Sequence, residues 1–282
     1  MESSAAWLSN RSKGWRTRRS CARRLEMTSE FLPVFVQNAL EDNEELLPGV
    51  VAGRADFQTI LTFCQNFRTA GIGALFLGSS PKVFRQMLHH SGRAYAYFLG
   101  YADVKAVLTS KALPFFDAVA AGDFEGAGVI ARRSRHSWAQ GEEYEEDFLF
   151  TELLMHQFFL DALPRAGEEM LERYEAALQG SDDSRLPVCR ALLGSNAEAF
   201  NESLALFLSE RSDQLAELDA GGALMEEELS TEGNLSVEGL ALVRLAERKR
   251  LETERDYLHV PSVARKGGRI SFSADAWRKL WD

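Results

Sequence analysis

Cysteine is scarce in this 282-residue sequence, and it contains no long uninterrupted hydrophobic run. The three cysteines, Cys21, Cys64 and Cys189, are far apart and form no CxxC or zinc-type spacing, which is typical of proteins from a reducing compartment. No window reaches the roughly 18 uncharged apolar residues that a membrane-spanning helix needs. The sequence therefore predicts a soluble cytoplasmic protein that has no membrane partner.

The signatures of common enzyme classes are also missing. The sequence contains no HExxH motif, no ExxH pair, no P-loop and no GxSxG elbow. Two short glycine motifs, in GIGALFLG (71–78) and GAGVI (126–130), lack the strand–turn–helix context of a dinucleotide site. We therefore expect no catalytic residue, no cofactor and no metal.

Charge is unevenly distributed along the chain, whose formal net charge is −10. Residues 1–26 carry a charge of +5, because seven basic residues outnumber Glu2 and Glu26. Residues 27–282 consequently carry −15. A body this acidic is poorly suited to nucleic acid, which needs clustered Lys and Arg, and better suited to a basic partner. The seven basic residues are Arg11, Lys13, Arg16, Arg18, Arg19, Arg23 and Arg24.

The basic residues 1–26 have no apolar core of the kind found in a secretory signal. Their Ser/Arg-rich composition is superficially that of a transit peptide, although a disordered upstream extension is the favoured interpretation. We expect the folded chain to begin near Met27 and residues 27–282 to form a single domain.

The dominant hydrophobic period from Thr28 onward is helical. Two apolar stripes show it, with spacings of three and four residues. They consist of Phe57, Ile60, Leu61, Cys64 and Phe67, and of Phe200, Leu204, Phe207 and Leu208. The best candidate for a strand is GIGALFLG (71–78), which fits a buried helical turn or a loop equally well. The predicted class is all-α, with roughly ten helices in an irregular stack of helical hairpins.

A weak internal repeat supports this class. LPFFDAVAAGDFEGA (113–127) and LPVCRALLGSNAEAF (186–200) align without gaps at a spacing of 73 residues. Each predicts a short helix, a turn at Gly122-Asp123 or Ser195-Asn196, and a second helix, with Asn196 as an N-cap. Because one hairpin cannot bury its own apolar face, neighbouring hairpins must stack.

Other signals mark the ends of elements. Ser80-Pro81 predicts a helix start, and Ser273 predicts the cap of a final helix carrying Trp277, Leu280 and Trp281. Residues 218–236 predict a long exposed loop, rich in Gly, Ser and Glu. The loop is not a domain boundary, because the helix that follows Ser236 is apolar on most sides and must be covered by earlier helices.

Glu152 and His156 share one helical face at a spacing of four residues. They are candidates for half of a metal site or for an acid/base pair. No partner carboxylate or histidine is identifiable elsewhere in the sequence. The favoured interpretation is therefore a local ion pair at the edge of the helix.

Five carboxylates crowd into WAQGEEYEEDFLF (138–150), immediately before an apolar run. On a continuous helix Glu142 would align with Glu146, and Glu143 with Asp147, so that like charges would repel. A helix start favours one or two acids, not five. A catalytic carboxylate pair would need burial or a partner that drives the two pKa values apart, and clustered exposed acids provide neither. An ordinary solvated helix start and a recognition surface for a basic partner remain open. The predicted recognition residues are Trp138, Glu142, Glu143, Tyr144, Glu145, Glu146 and Asp147, with the acidic loop at Glu226, Glu227 and Glu228 as a second location.

Two segments resemble the immunity protein 49 family of bacterial polymorphic toxin systems. They are RHSWAQGEEYEEDFLF (135–150) and SVEGLALVRLAERKRLETERDYLHVPS (236–262). The first matches a tryptophan followed by an acidic-aromatic run, with Glu146 where the family pattern often has Asp. The second matches a helix of the type EGLALLRLA that is followed by a Tyr and a Pro four residues apart, here Tyr257 and Pro261. The resemblance covers roughly residues 110–265.

The resemblance implies an all-α, non-enzymatic protein that binds and neutralises a cognate toxin domain made by the same cell. Such a protein needs no cofactor, and its acidic charge would attract a basic toxin. Two alternatives remain open. One is a helical-hairpin adaptor or regulatory scaffold without a toxin partner, and the other is a metal enzyme that uses Glu152 and His156.

Overall fold

The computed structural model of the protein describes residues 29–78, 81–160, 164–266 and 272–280, so the expectation for residues 1–26 lies outside it. The described chain forms twelve α-helices and contains no β-strand, which confirms the all-α prediction and its approximate helix count. The helices are α1 (Leu32–Val51), α2 (Phe57–Phe76), α3 (Pro81–Phe98), α4 (Leu113–Ala121), α5 (Phe124–Arg133), α6 (Glu145–Phe159), α7 (Pro164–Ala177), α8 (Arg185–Leu193), α9 (Ala197–Ala220), α10 (Glu226–Ser230), α11 (Val237–Arg248) and α12 (Ser262–Arg265).

Side-chain caps fix the starts of four helices. In each case an Asp, Asn or Ser side chain accepts a hydrogen bond of 2.7–3.1 Å from the backbone N–H three residues later. The prediction that Asn196 caps α9 is confirmed. Pro81 begins α3 as expected, and Ser80 lies outside the described residues. The four caps are Asp56, Asp123, Asn196 and Ser236.

The predicted repeat is present as two hairpins, α4–α5 and α8–α9, whose turns have equivalent hydrogen bonds. The Asp123 N–H donates to the Ala118 carbonyl at 2.9 Å, and the Asn196 N–H donates to the Ala191 carbonyl at 3.0 Å. These pairs are 73 residues apart. The turn residues, Gly122 and Ser195, both adopt positive φ angles, of 80° and 54°.

Helix α4 lies at the centre of the fold. Every residue from Pro114 to Ala121 is buried, and the helix packs against α2, α3, α5 and α11. Its approach to α3 depends on Gly92, because a Cβ atom there would lie 2.7 Å from the Cβ atom of Ala118. Helix α11 is buried over most of its surface, which confirms that earlier helices cover it.

A charged cluster is buried beside α4. The Arg68 guanidinium donates to the Asp117 carboxylate at 2.8 Å, to Glu232 at 3.0 Å and to the Leu113 carbonyl at 3.0 Å. The Ser91 hydroxyl also donates to Asp117. Burial tends to lower the pKa of Arg68, but the two carboxylates outweigh burial and raise it, so Arg68 stays charged. The cluster thereby joins α2, α3 and α4 to the segment before α11.

Of the alternatives for GIGALFLG (71–78), the buried helical turn is the correct one, because residues 71–76 form the end of α2. Two predictions about elements need correction. The final helix is only a 3₁₀ turn at Ala276–Arg278, in which Trp277 is buried, and Trp281 lies outside the described residues. Residues 218–236 are not one exposed loop, since α9 continues to Ala220, α10 follows, and Thr231 and Leu235 are buried. No described helix has both the length and the apolar character required to span a membrane.

Candidate functional site

The loop before α6 is held by Trp138 and Glu143. The indole N–H of Trp138 donates to the Glu143 carbonyl at 3.0 Å, and the partly buried ring packs against the core. The Glu143 carboxylate accepts the backbone N–H groups of Ser110 and Ala139, at 2.9 and 3.1 Å. A buried backbone donor is costly to leave unpaired, so Glu143 stabilises this loop.

Helix α6 begins at Glu145, not at Glu142. The two aligned rows of like charge therefore do not form, because Glu142 and Glu143 lie in the turn before the helix. Three acids remain in the first turn, where the positive end of the helix dipole favours them.

Arginines from later helices neutralise two of these three acids. The Glu145 carboxylate pairs with Arg173 of α7 at 2.6 Å, and Asp147 pairs with Arg185 of α8 at 2.8 Å. Both guanidinium groups also lie over aromatic rings of α6, at 6.0 and 5.2 Å from the ring centroids. Much of the negative charge that the sequence shows in this run is thus compensated in the fold.

Three side chains of the run remain available to a partner. Tyr144 is 74% exposed, and Glu142 is exposed as well. Glu146 is partly exposed and forms no ion pair within the described ranges. Of the predicted recognition residues, the structure therefore gives Trp138, Glu143, Glu145 and Asp147 structural contacts.

The second predicted acidic location is the short helix α10. Glu226 accepts the hydroxyl of Ser29 at 2.7 Å, Glu227 accepts that of Thr69 at 3.3 Å, and Glu228 accepts the N–H of Met225 at 3.0 Å. None of the three glutamates pairs with a Lys or Arg of the described chain. Partial burial raises the pKa of Glu227, and the negative charges of Glu228 and Asp42 raise it further.

The two chain segments that meet at α10 contain no positive side chain. Residues 29–53 hold five acidic residues and residues 212–243 hold eight, and neither stretch contains Lys, Arg or His. Helix α10 packs against α1, and the hydrogen bond between Glu226 and Ser29 joins the same two segments. Unlike Glu145 and Asp147 in the run at Trp138, the three glutamates of α10 have no Lys or Arg partner within the described ranges.

A groove with a volume of about 580 Å³ opens between the end of α9 and α10. Leu215, Ala216 and Leu229 provide apolar lining, and Asp219 and Glu226 provide carboxylates. Its size is within the range of pockets that accept side chains or small ligands. Nothing in the sequence pattern indicates this groove, because it forms between segments of α9 and α10 that the turn at residues 221–225 brings together.

Glu152 is buried and pairs with His136, not with His156. The His136 Nδ1 atom lies 2.8 Å from a carboxylate oxygen of Glu152, whereas His156 Nδ1 has no hydrogen-bond partner. The predicted local ion pair is therefore wrong. The hydrogen bond with Glu152 raises the pKa of His136, and burial opposes it. No three His, Cys, Asp or Glu side chains of the described chain are grouped so that they could hold a metal.

The sequence model described as Immunity protein 49 matches residues 76–264, about two thirds of the chain. The chain belongs to the immunity protein 49 family. No curated protein and no solved structure matches it. The matched range includes the Trp138 run, α10 and α11, whereas α1 precedes it.

The second segment that carries the family resemblance, residues 236–262, has structural contacts. The N–H of Ser236 donates to the His259 carbonyl at 2.8 Å, which joins the start of α11 to the turn before Pro261. A Cβ atom at Gly239 would lie 2.8 Å from a Leu208 side-chain atom and 3.0 Å from one of Val260. Gly239 therefore permits close packing of α11.

Proposed function

We propose that this protein is an immunity protein of a bacterial polymorphic toxin system, which binds a cognate toxin domain and neutralises it without catalysis. Membership of the immunity protein 49 family carries the proposal. In this proposal the protein acts in the cytoplasm of the producing cell, where it captures toxin that would otherwise harm that cell. It requires no cofactor for this activity.

The charge distribution supports a basic toxin domain as the partner. Residues 27–282 carry a formal charge of −15, which disfavours nucleic acid and attracts positive protein surfaces. Long-range attraction of this kind mainly speeds association, and salt screens it. A toxin captured early has less time to act, so a fast association rate fits the proposed task.

Two surfaces of the protein suit an acidic recognition role. The first is the run from Trp138 to Asp147, where Tyr144 is an exposed aromatic side chain of the type that interface hot spots favour. The second is the surface around Glu226, Glu227 and Glu228, which no Lys or Arg of the described chain neutralises. They are the two candidate surfaces for the toxin contact.

The proposal is tested by asking whether a toxin-like domain is encoded immediately upstream of the gene, and by producing the chain together with that domain. We expect cells that make both proteins to grow, cells that make the toxin alone to die, and the two proteins to co-purify as a stable complex. An adaptor or scaffold would leave the cells unprotected. Protection without a complex would also contradict the proposal, because neutralisation is proposed to occur by binding.

A further inference from the structure

We propose that the toxin docks on the face formed by the start of α1, the end of α9 and helix α10, which we call the α1–α10 face. This inference rests on the proposed function and assigns it a surface. The fitting partner is a basic protein surface in which Lys and Arg side chains surround one apolar side chain, and that apolar side chain enters the groove between α9 and α10.

Uncompensated charge is the first reason for choosing this face over the run at Trp138. In that run, Arg173 and Arg185 already form ion pairs with Glu145 and Asp147. Around α10, the carboxylates of Glu226, Glu227 and Glu228 have only hydroxyl or N–H partners among the residues that the structure describes. A basic partner gains most from carboxylates that keep their full charge, because it does not have to displace an internal cation.

Exposed apolar side chains are the second reason. Phe31, Leu218, Met225 and Leu229 are 47%, 45%, 71% and 38% exposed. Leu229 lines the groove, and each of the other three is within two residues of a side chain that lines it, so apolar area lies beside the carboxylates. Stable interfaces have this composition, with apolar anchors at the centre and polar groups at the rim.

Hydrogen bonds within the chain order one wall of the groove. The Asn234 amide donates to the carbonyls of Leu229 and Ser230, at 3.1 and 3.2 Å, and the Thr231 hydroxyl donates to the Glu227 carbonyl at 2.7 Å. These bonds fix the end of α10 against the following turn. A surface that is ordered in advance loses less conformational entropy on binding.

The test compares two matched double variants of the full chain in binding to an inactivated form of the toxin domain from the co-production experiment above. The first variant, Asp219→Asn with Met225→Ala, removes one carboxylate that lines the groove and one exposed apolar side chain. The control, Glu142→Gln with Tyr144→Ala, makes the same kinds of change in the run at Trp138. All four residues are exposed, so we expect both variants to keep the melting temperature of the wild type.

We expect the first variant to raise the Kd by about tenfold or more and the control to change it less than about twofold. Asp219→Asn alone should slow association and leave dissociation nearly unchanged, because its charge steers the encounter. The reverse ranking of the two double variants would overturn the inference, while the proposed function would stand.

Three further outcomes separate the inference from the proposed function. If neither double variant weakens binding to the toxin, the α1–α10 face is not the docking surface. If wild-type protein associates with itself and the first variant abolishes only that association, a second copy occupies the face and the inference is wrong. If the wild type does not bind the toxin at all, the proposed function itself fails.

Discussion

Glu152 finds its partner across the fold, not along its own helix. A spacing of four residues places His156 on the same helical face, yet the carboxylate pairs with His136 from the loop after α5. The imidazole of His136 is 41% exposed, whereas the side chain of Glu152 is almost completely buried. A buried carboxylate is best stabilised by a donor that reaches it directly, and the loop supplies that donor.

The His136–Glu152 pair predicts a pH-dependent contribution to stability. The folded-state pKa of His136 is raised above its ordinary value, so the pair stabilises fully below the unfolded pKa of about 6.5 and loses this effect as pH rises through the folded pKa. We expect His136→Gln to lower the free energy of unfolding by up to about 1 kcal/mol more at about pH 5.5 than at about pH 8.5. Chemical denaturation at both pH values measures this.

His156→Gln is the control for that experiment. His156 does not contact Glu152 through an ion pair, so its replacement should produce no comparable pH-dependent difference. Elemental analysis of the same samples addresses the metal-enzyme alternative. Stoichiometric metal in the wild type that disappears in the His156 variant would restore that alternative.

Because Arg68 is buried, we expect the loss of one of its carboxylate partners to destabilise the protein strongly. Asp117 is 1% exposed and accepts hydrogen bonds from Arg68 and Ser91. Asp117→Ala should lower the free energy of unfolding by about 3 kcal/mol or more, because it leaves a buried guanidinium short of a partner. Glu169→Ala, which breaks the exposed pair with Arg165, should cost less than about 0.5 kcal/mol. Equal costs would show that the Arg68 cluster is not a structural centre.

At the scale of elements, the two hairpins have turns of the same conformation but with different residues, glycine in one and serine in the other. Gly122 and Ser195 both have positive φ, which costs a residue with a side chain about 1–2 kcal/mol. A Cβ atom at Gly122 would touch only Arg85, at 3.7 Å, so backbone strain is the main effect of a substitution.

We therefore expect Gly122→Ala to lower the free energy of unfolding by about 1 kcal/mol. Ser195→Gly should not lower it, because relief of the strained φ offsets the greater freedom that glycine gives the unfolded chain. Urea denaturation of the two variants tests the equivalence of the turns. A destabilising Ser195→Gly would show that the serine side chain has a role in its hairpin that the repeat does not reveal.

Local patterns predicted the helical class and the cap at Asn196, and failed where contacts between distant residues determine the structure. The stripe from Phe57 to Phe67 and the cap at Asn196 depend on neighbours three or four residues away, so the sequence reveals them. The neutralisation of Glu145 depends on Arg173, which lies in a different helix. For the same reason, the sequence of the run at Trp138 suggests a dense negative surface, whereas in the fold arginines pair with two of its carboxylates.

At the scale of the whole molecule, the contribution of residues 1–26 to folding can be tested by removing them. They show no apolar periodicity that could dock onto the helices. We expect a chain that begins at Met27 to have the melting temperature of the full chain and to protect cells from the toxin equally well. A marked fall in melting temperature after the truncation would show that these residues contribute to folding.

Residues 29–53 and 212–243 contain no positive side chain. We therefore expect salt to change the stability of the free protein and its affinity for the toxin in opposite directions. In the free protein, salt screens the repulsion among neighbouring carboxylates, so the melting temperature should rise with ionic strength. In a complex with a basic toxin, the same ions compete with the toxin for those carboxylates, so affinity should fall. Over one salt series, the melting temperature from calorimetry should therefore rise while the affinity from binding measurements falls. The buffer in which the lone protein best resists heat is then the one in which it captures its partner least well.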